Sequence, residues 1–227
     1  CSHSLRDERL GPMPRTRNSV KVHRQEYYAI ITHMDEQIGR ILAGLKKSGM
    51  EDNTYVFFSA DHGLAVGHHG LFGKQNLYEH STRVPFIVKG PDIPKGKEIS
   101  APIYLQDVMA SSLALAGVEK PKHVEFKDIL PLAKGETKKL PYKEIYGAYL
   151  NVQRSITKNN IKLLVYPNVP LIRVYDIAND PEEKNDIVST EKGKELTKKL
   201  FPRLLKLQKK MGDSLDLTKA FPKFVTK

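Results

Sequence analysis

At 227 residues the chain has room for one large domain or one and a half smaller ones. A hydrophobic content of 40%, with 10 Tyr and 8 Phe, excludes wholesale disorder. Lys and Arg number 37 against 26 Asp and Glu, and the resulting +11 favours anionic partners. No zinc-finger spacing or RNA-reading aromatic pair accompanies that charge, so no nucleic-acid partner is expected.

A single cysteine, Cys1, excludes an internal disulfide framework. No apolar run approaches the length of a membrane span. The opening, "CSHSLRDERLGPMPRTR", is polar, basic and turn-rich, unlike a signal peptide, and reads as an internal point of a longer protein.

Residues 1–19 read as a linker or loop punctuated by Gly11, Pro12 and Pro14. From about Val20 the spacing predicts a helix whose stripe is Tyr28, Ile31, Met34, Ile38, Ile41, Leu42 and Leu45. Lys46 and Lys47 suit its last turn and Gly49 its left-handed stop. "TYVFFSA" (54–60) then reads as a strand covered on both faces, and "RVPFIVKG" as a second strand with Pro85 near its start. A helix, "LQDVMASSLALAGV", follows, with Asp107 near its beginning and Gly117 past its end. This order predicts α/β layering around a largely parallel or mixed sheet, occupying residues 20–135.

Residues 136–227 change character. "EIYGAYL", "QRSITKNN", "IKLLVYP" and "RVYDIAND" predict a small antiparallel sheet. Leu196, Leu200, Leu204, Leu207 and Met211 then form the stripe of a lysine-rich amphipathic helix. Packing on the small sheet is the expectation for it, with a membrane-surface helix as the alternative.

The chemistry gathers between the first two strands, in "SADHGLAVGHHGLFGKQNLYEHSTRVPFIV". Asp61 lies just past a strand's carboxyl end, where open α/β sheets present ligands. A carboxylate is an oxygen ligand for a hard cation, and the adjacent His62 can add nitrogen. Lys74 is a point charge suited to a phosphate or sulfate oxygen. Singly, Asp-His-Gly reads as a turn, His68-His69 as solvated loop residues and Lys74 as a surface lysine. Their convergence in one strand-end loop sets the segment apart.

Those residues resemble the metal-and-lysine segment of the sulfatases of the alkaline-phosphatase superfamily, whose pattern runs S-D-H/N-G, L-G-x-H-G, G-K, R-V-P. "YLQDVMASSLALAGVEKP" is similar to that family's D-x-x-x-T-L-L-x-L-A-G helix, with Ser in the Thr place. "RVYDIANDPEEKNDIV" resembles its C-terminal D-P-x-E signature. The resemblance covers about residues 20 to 190 in the family's order. It implies an alkaline-phosphatase-like mixed sheet sandwiched by helices, followed by a small antiparallel-sheet-plus-helix subdomain.

The resemblance also implies roles. Asp61 and His62 match two ligands of calcium (or magnesium), with His62 where many members have Asn. Lys74 matches the catalytic lysine that contacts the sulfate and stabilises the leaving oxygen. His69 matches the histidine near the substrate mouth, and His68 stands beside it where Glu is common. Arg83 matches the R-V-P arginine, read here as structural. The family's nucleophile is a formylglycine made from Cys in C-x-P-S-R; Cys1 is followed by His3 and Leu5 where Pro and Arg are required, so it is rejected. The remaining metal ligands and the nucleophile are expected on an N-terminal half of the same protein, and this chain alone is expected to be inactive.

The expectation is a sulfuric-ester hydrolase acting on sulfate esters, with those of sulfated glycans as candidate substrates. It would be exported, to periplasm, cell exterior or lysosome. The alternatives are a phosphodiesterase or phosphonate hydrolase of the same superfamily, or a non-catalytic relative that binds anionic glycan. A nucleic-acid role, prompted by charge alone, ranks below these.

Overall fold

The computed structural model describes residues 10, 11 and 13–224. The first nine residues of the expected linker, Cys1 among them, and Pro12 lie outside the described residues. The chain divides into two compact units. One holds the described residues up to Lys74 together with Val84–Pro141; the other holds Gln75–Arg83 together with the chain from Tyr142 onward.

In the first unit, the Thr16 hydroxyl accepts the Ser19 N–H at 3.1 Å and so starts helix α1, Arg17–Lys47, three residues before the expected point. Lys46 and Lys47 complement its C-terminal dipole, and Gly49 takes φ +72 just beyond. Its apolar stripe is mostly uncovered among the described residues: α1 has no buried residue, Ile38 and Leu45 are half-buried, and Tyr28 and Ile41 are 58% and 70% exposed. Tertiary contacts reach it chiefly near its start, through Val20, His23 and Arg24.

Strand β1, Val56–Ser59, pairs antiparallel with β2, Phe86–Lys89, in the register Val56↔Lys89 to Ser59↔Phe86. All four β1 residues are half-buried rather than covered on both faces. An antiparallel pair of this kind also occurs at the edge of larger mixed sheets. Helix α3, Asp107–Leu115, follows the short α2, Glu79–Thr82, in chain order. The fully buried Asp107 accepts N–H groups of Tyr104 and Lys127, at 2.8 and 2.9 Å. Buried Ser111, one turn on, accepts the Ile129 N–H at 3.0 Å, just before α4, Leu130–Lys134. The polar positions of this helix thus satisfy an irregular return segment whose backbone donors would otherwise be orphaned.

The second unit is a four-stranded antiparallel meander, β3-β4-β5-β6: Ile145–Tyr149, Gln153–Lys158, Ile161–Tyr166 and Leu171–Asp176. Asn159 and Asn160, both at positive φ, form the two-residue turn between β4 and β5, the geometry that a right-twisted hairpin favours. One sheet face carries Ile156, Leu163, Val165 and Val174. Helix α5, Glu191–Lys210, packs there through Leu200, Phe201 and Leu204. Each such aliphatic side chain contributes roughly 1.5–3 kcal/mol on burial. The fully buried stripe of α5 is Gly193, Thr197, Leu200, Phe201, Leu204 and Gln208; Leu196 and Leu207 of the expected stripe pack at its edge, while Met211 stands 38% exposed. The stripe is rotated from the all-leucine expectation because small and polar residues sit where the helix approaches the chain closely.

The other sheet face carries Leu164, Tyr175 and Ile177, covered by Leu77 and Tyr78. The segment that follows Lys74 is therefore core of this unit rather than surface loop.

Candidate active-site loop

The loop begins where β1 ends. The Ser59 hydroxyl donates to the Pro85 carbonyl at 2.8 Å, tying the loop's two stems together. Asp61 is exposed; its Oδ1 accepts the His62 N–H at 2.8 Å, and its Oδ2 lies 3.0 Å from His62 Nε2. The other ring nitrogen of His62 is 3.2 Å from the Gly63 carbonyl.

Beyond Gly63 the chain folds back on itself through three backbone bonds: Ala65 N–H to Gly73 O at 3.1 Å, Val66 to Phe72 at 3.4 Å and Gly67 to Leu71 at 2.7 Å. The tip is strained. Val66 has φ +42 and His69 φ +53, both in the left-handed region, where a β-branched residue is a genuine outlier. Such positions cost about 1–3 kcal/mol each and persist only where surroundings enforce them. Arg24 of α1 does so here: its guanidinium donates twice to the Val66 carbonyl, at 3.0 and 3.3 Å. Val20 presses from the same helix, with a methyl 2.4 Å from where a Cβ on Gly67 would stand. Ala65, Leu71, Phe72 and Gly73 anchor the base in buried positions. The Phe72 ring lies 4.7 Å from that of His23 and 4.3 Å from the Arg15 guanidinium carbon.

Asp61, His62, His68, His69 and Lys74 are all brought into this one unit; His62, His68, His69 and Lys74 are half-buried. Among the described residues no group of three His, Cys, Asp or Glu side chains could hold a metal ion. A hard cation takes six or more oxygen ligands, and the loop offers one carboxylate with one imidazole. The residues present do not complete such a site.

Lys74 closes the first unit, and Gln75 opens the part held by the second. Within that second unit Leu77 N–H donates to Gln153 Oε1 at 2.9 Å, and buried Asn76 accepts the Tyr78 N–H and the Ser81 hydroxyl. Glu79 is gripped twice. Its N–H donates to Glu183 Oε2 at 2.6 Å, and its carboxylate accepts Lys162 Nζ at 2.7 Å. Lys162, only 2% exposed, also lies 3.0 Å from Glu183 Oε1, whose side chain is 1% exposed. Burial pushes the Glu183 carboxyl above its ordinary range, with the Lys162 charge opposing. Arg83 is exposed, and its N–H closes α2 on the Glu79 carbonyl at 2.8 Å.

Sequence reading missed Arg24, Glu79, Lys162 and Glu183. A lysine inside the apolar run "IKLLVYP" was a usable signal, because a buried ammonium needs anionic partners. Glu183 sits in the quoted D-P-x-E signature, and the structure supplies its physical content. Asp180 folds that turn by accepting the Lys184 and Asn185 N–H groups at 3.1 and 2.7 Å, and Glu183, at φ +53, is aimed inward at Glu79.

Two family models match the chain: sulfatase over residues 6–118, and the C-terminal part of N-sulphoglucosamine sulphohydrolase over residues 67–210. The chain belongs to the sulfatase family. An N-acetylglucosamine-6-O-sulfatase of Bacteroides thetaiotaomicron is 31% identical over 84% of this sulfatase chain and 36% of the relative. A solved structure of a protein bound to its substrate D-glucosamine-2-N,6-O-disulfate is 29% identical, covers 81% of this chain and 40% of that one, and superposes with a TM-score of 0.75. A phosphonate monoester hydrolase of Silicibacter pomeroyi, at 20% identity, shares the fold with a TM-score of 0.77 over 93% of this chain and 44% of its own. The architecture is thus alkaline-phosphatase-like. The chain spans between a third and a half of the length of the first curated relatives it matches. Among the described residues no helix is long and apolar enough to cross a membrane.

Proposed function

We propose that the whole protein is a sulfuric-ester hydrolase acting on sulfated glycans, with residues 20–135 contributing half of its active site and 136–227 forming the C-terminal subdomain. The observation that carries this reading is the loop tip, where two non-glycine residues are forced to positive φ and pinned by Arg24 between Asp61 and Lys74. Strain held this firmly, in a chain of the sulfatase family, supports a binding surface rather than a connecting turn.

The residues divide the work by chemistry. Lys74 neutralises a sulfate oxygen and the charge growing on the leaving oxygen; a compact ammonium suits both. His69, with His68 beside it, contacts the substrate at the loop tip. Asp61 and His62 would supply two ligands to a divalent cation, calcium or magnesium, with the other ligands coming from an N-terminal half. When bound, that cation would lend Lewis-acid charge neutralisation, and a formylglycine on that half would supply the nucleophile. An exported location follows from where sulfate esters of glycans are met.

The test uses the full-length protein carrying these residues, assayed on N- and O-sulfated glucosamines and on aryl sulfates with calcium supplied. Lys74→Ala is expected to lower turnover by about 10²–10³-fold, the usual effect of removing one charge-stabilising group. The shared fold with a phosphonate monoester hydrolase supports the competing reading. Faster hydrolysis of a phosphonate monoester than of any sulfate would replace ours with it, and no turnover of either class would favour a glycan-binding relative.

A further inference from the structure

Helix α5 presents a second feature that the loop does not use. Over Glu191–Lys210 it carries eight basic and two acidic side chains, a net six of the chain's +11. From Lys198 onward there are six basic residues and no acidic one: Lys198, Lys199, Arg203, Lys206, Lys209 and Lys210, all exposed. They share the face opposite the buried stripe and extend over about 18 Å at 1.5 Å per residue.

This is not an ordinary solvated helix face, which mixes signs. The i,i+3 and i,i+4 neighbours Lys199 and Arg203, Arg203 and Lys206, and Lys206 with Lys209 and Lys210 are all like-charged. Each such pair costs an isolated helix about 0.2–0.5 kcal/mol. The dipole explains only the last turn. Elsewhere the unit does neutralise its helix: Lys194 pairs with Glu191, Lys192 with Asp176, Lys199 with Glu195 and Arg203 with Glu144. Lys198, Lys206, Lys209 and Lys210 make no ion pair among the described residues.

We infer that this face is an exosite for a sulfated polysaccharide, gripping the polymer through residues other than those of the loop that carries Lys74. The inference rests on the function proposed above and names where the substrate's polymeric character is recognised. Lysines suit sulfate oxygens as point charges and impose no base-edge geometry. The exposed face offers no aromatic platform, since Phe201 is fully buried, and stacking on such platforms is how single-stranded nucleic acids are held.

The experiment takes the full-length protein with Lys198, Lys206, Lys209 and Lys210 all changed to Gln, a swap that preserves helix propensity. A control changes Lys46, Lys47, Lys138 and Lys139 to Gln, removing the same net charge elsewhere. Affinity for heparin is measured against salt, with desulfated heparin and duplex DNA alongside, and turnover of a monosaccharide sulfate is followed in parallel. The α5 variant is expected to lose at least about tenfold in heparin affinity. The slope of log affinity against log salt should fall by about 3, since each neutralised anion contributes roughly 0.7–0.9. Monosaccharide turnover should be unchanged, and the control should keep most of its affinity. Equal losses in both variants, or DNA binding as tight as heparin binding, would overturn the exosite. Absence of monosaccharide turnover in the unaltered protein would count against the proposed catalysis alone, because the heparin measurement reads the exosite independently.

Discussion

Gly193 offers a test in which two physical effects predict opposite signs. It lies in the first turn of α5, where its N–H donates to the capping Thr190 hydroxyl at 3.0 Å. A Cβ added there would stand 1.8 Å from the Ile187 carbonyl oxygen, 2.6 Å from its carbon and 2.9 Å from the Val188 Cα. These are backbone atoms, and none can rotate aside. The Ile187 oxygen is also committed, accepting Thr190 N–H at 3.0 Å and the Thr190 hydroxyl at 2.8 Å. Helix propensity alone favours alanine over glycine by up to about 1 kcal/mol. Overpacking costs about 1–3 kcal/mol, and a backbone obstacle puts Gly193→Ala at the upper end. The net expectation is a loss of about 2 kcal/mol. With a urea slope near 2 kcal/mol per molar, the midpoint should fall by about 1 M. The chain has no tryptophan, so the transition is followed by far-UV circular dichroism. A midpoint equal to or above that of the parent would mean that the 187–193 turn yields without cost, and the account of the rotated α5 stripe would be wrong.

Lys162→Met leaves Glu79 and Glu183 buried without their cation, which should destabilise the second unit by about 3–5 kcal/mol; adding Glu79→Gln and Glu183→Gln should recover much of it in the same denaturation assay. In the parent, the raised Glu183 carboxyl contributes stability that is full below its ordinary 4.5 and fades as pH rises through the elevated folded value, readable in melting temperature against pH. Asp213 behaves in the opposite sense. Burial pushes it up, but hydrogen bonds from Arg154, 2.5 Å away, and Tyr146 outweigh that and hold it well below the carboxylate range. Its contribution is present above 3.8 and lost as pH falls through the depressed folded value, so Asp213→Asn should cost about 1.5–3 kcal/mol at pH 7 and converge with the parent in strong acid. Ile41→Lys on the uncovered stripe of α1 should change this chain's stability by less than about 0.5 kcal/mol while raising its solubility; in the full-length protein the same change should be markedly destabilising if the N-terminal half covers that stripe, and equal tolerance in both would refute the cover.

Much of this molecule could be read without coordinates because local rules sufficed. The 3.6-residue period announced α1, and the four short β-branched and aromatic runs announced β3 to β6, each closed by its Asn or Pro turn. The loop from Asp61 to Lys74 was legible as chemistry because ligand-type residues crowd one strand end, and its order resembled the sulfatases. What a linear reading could not supply were interactions between residues far apart in the chain. Arg24 is 42 residues from the carbonyl it holds, and Lys162 is 83 from Glu79. Neither has a periodic or adjacent signature, because side chains of any separation can meet once the chain is folded. The same holds for the burial of Leu77 and Tyr78, which look like loop residues until a sheet face is placed against them. Sequence determined which elements form and which residues carry chemistry; tertiary structure alone decided what pins the strained loop and which face of α5 stays free to bear its charge.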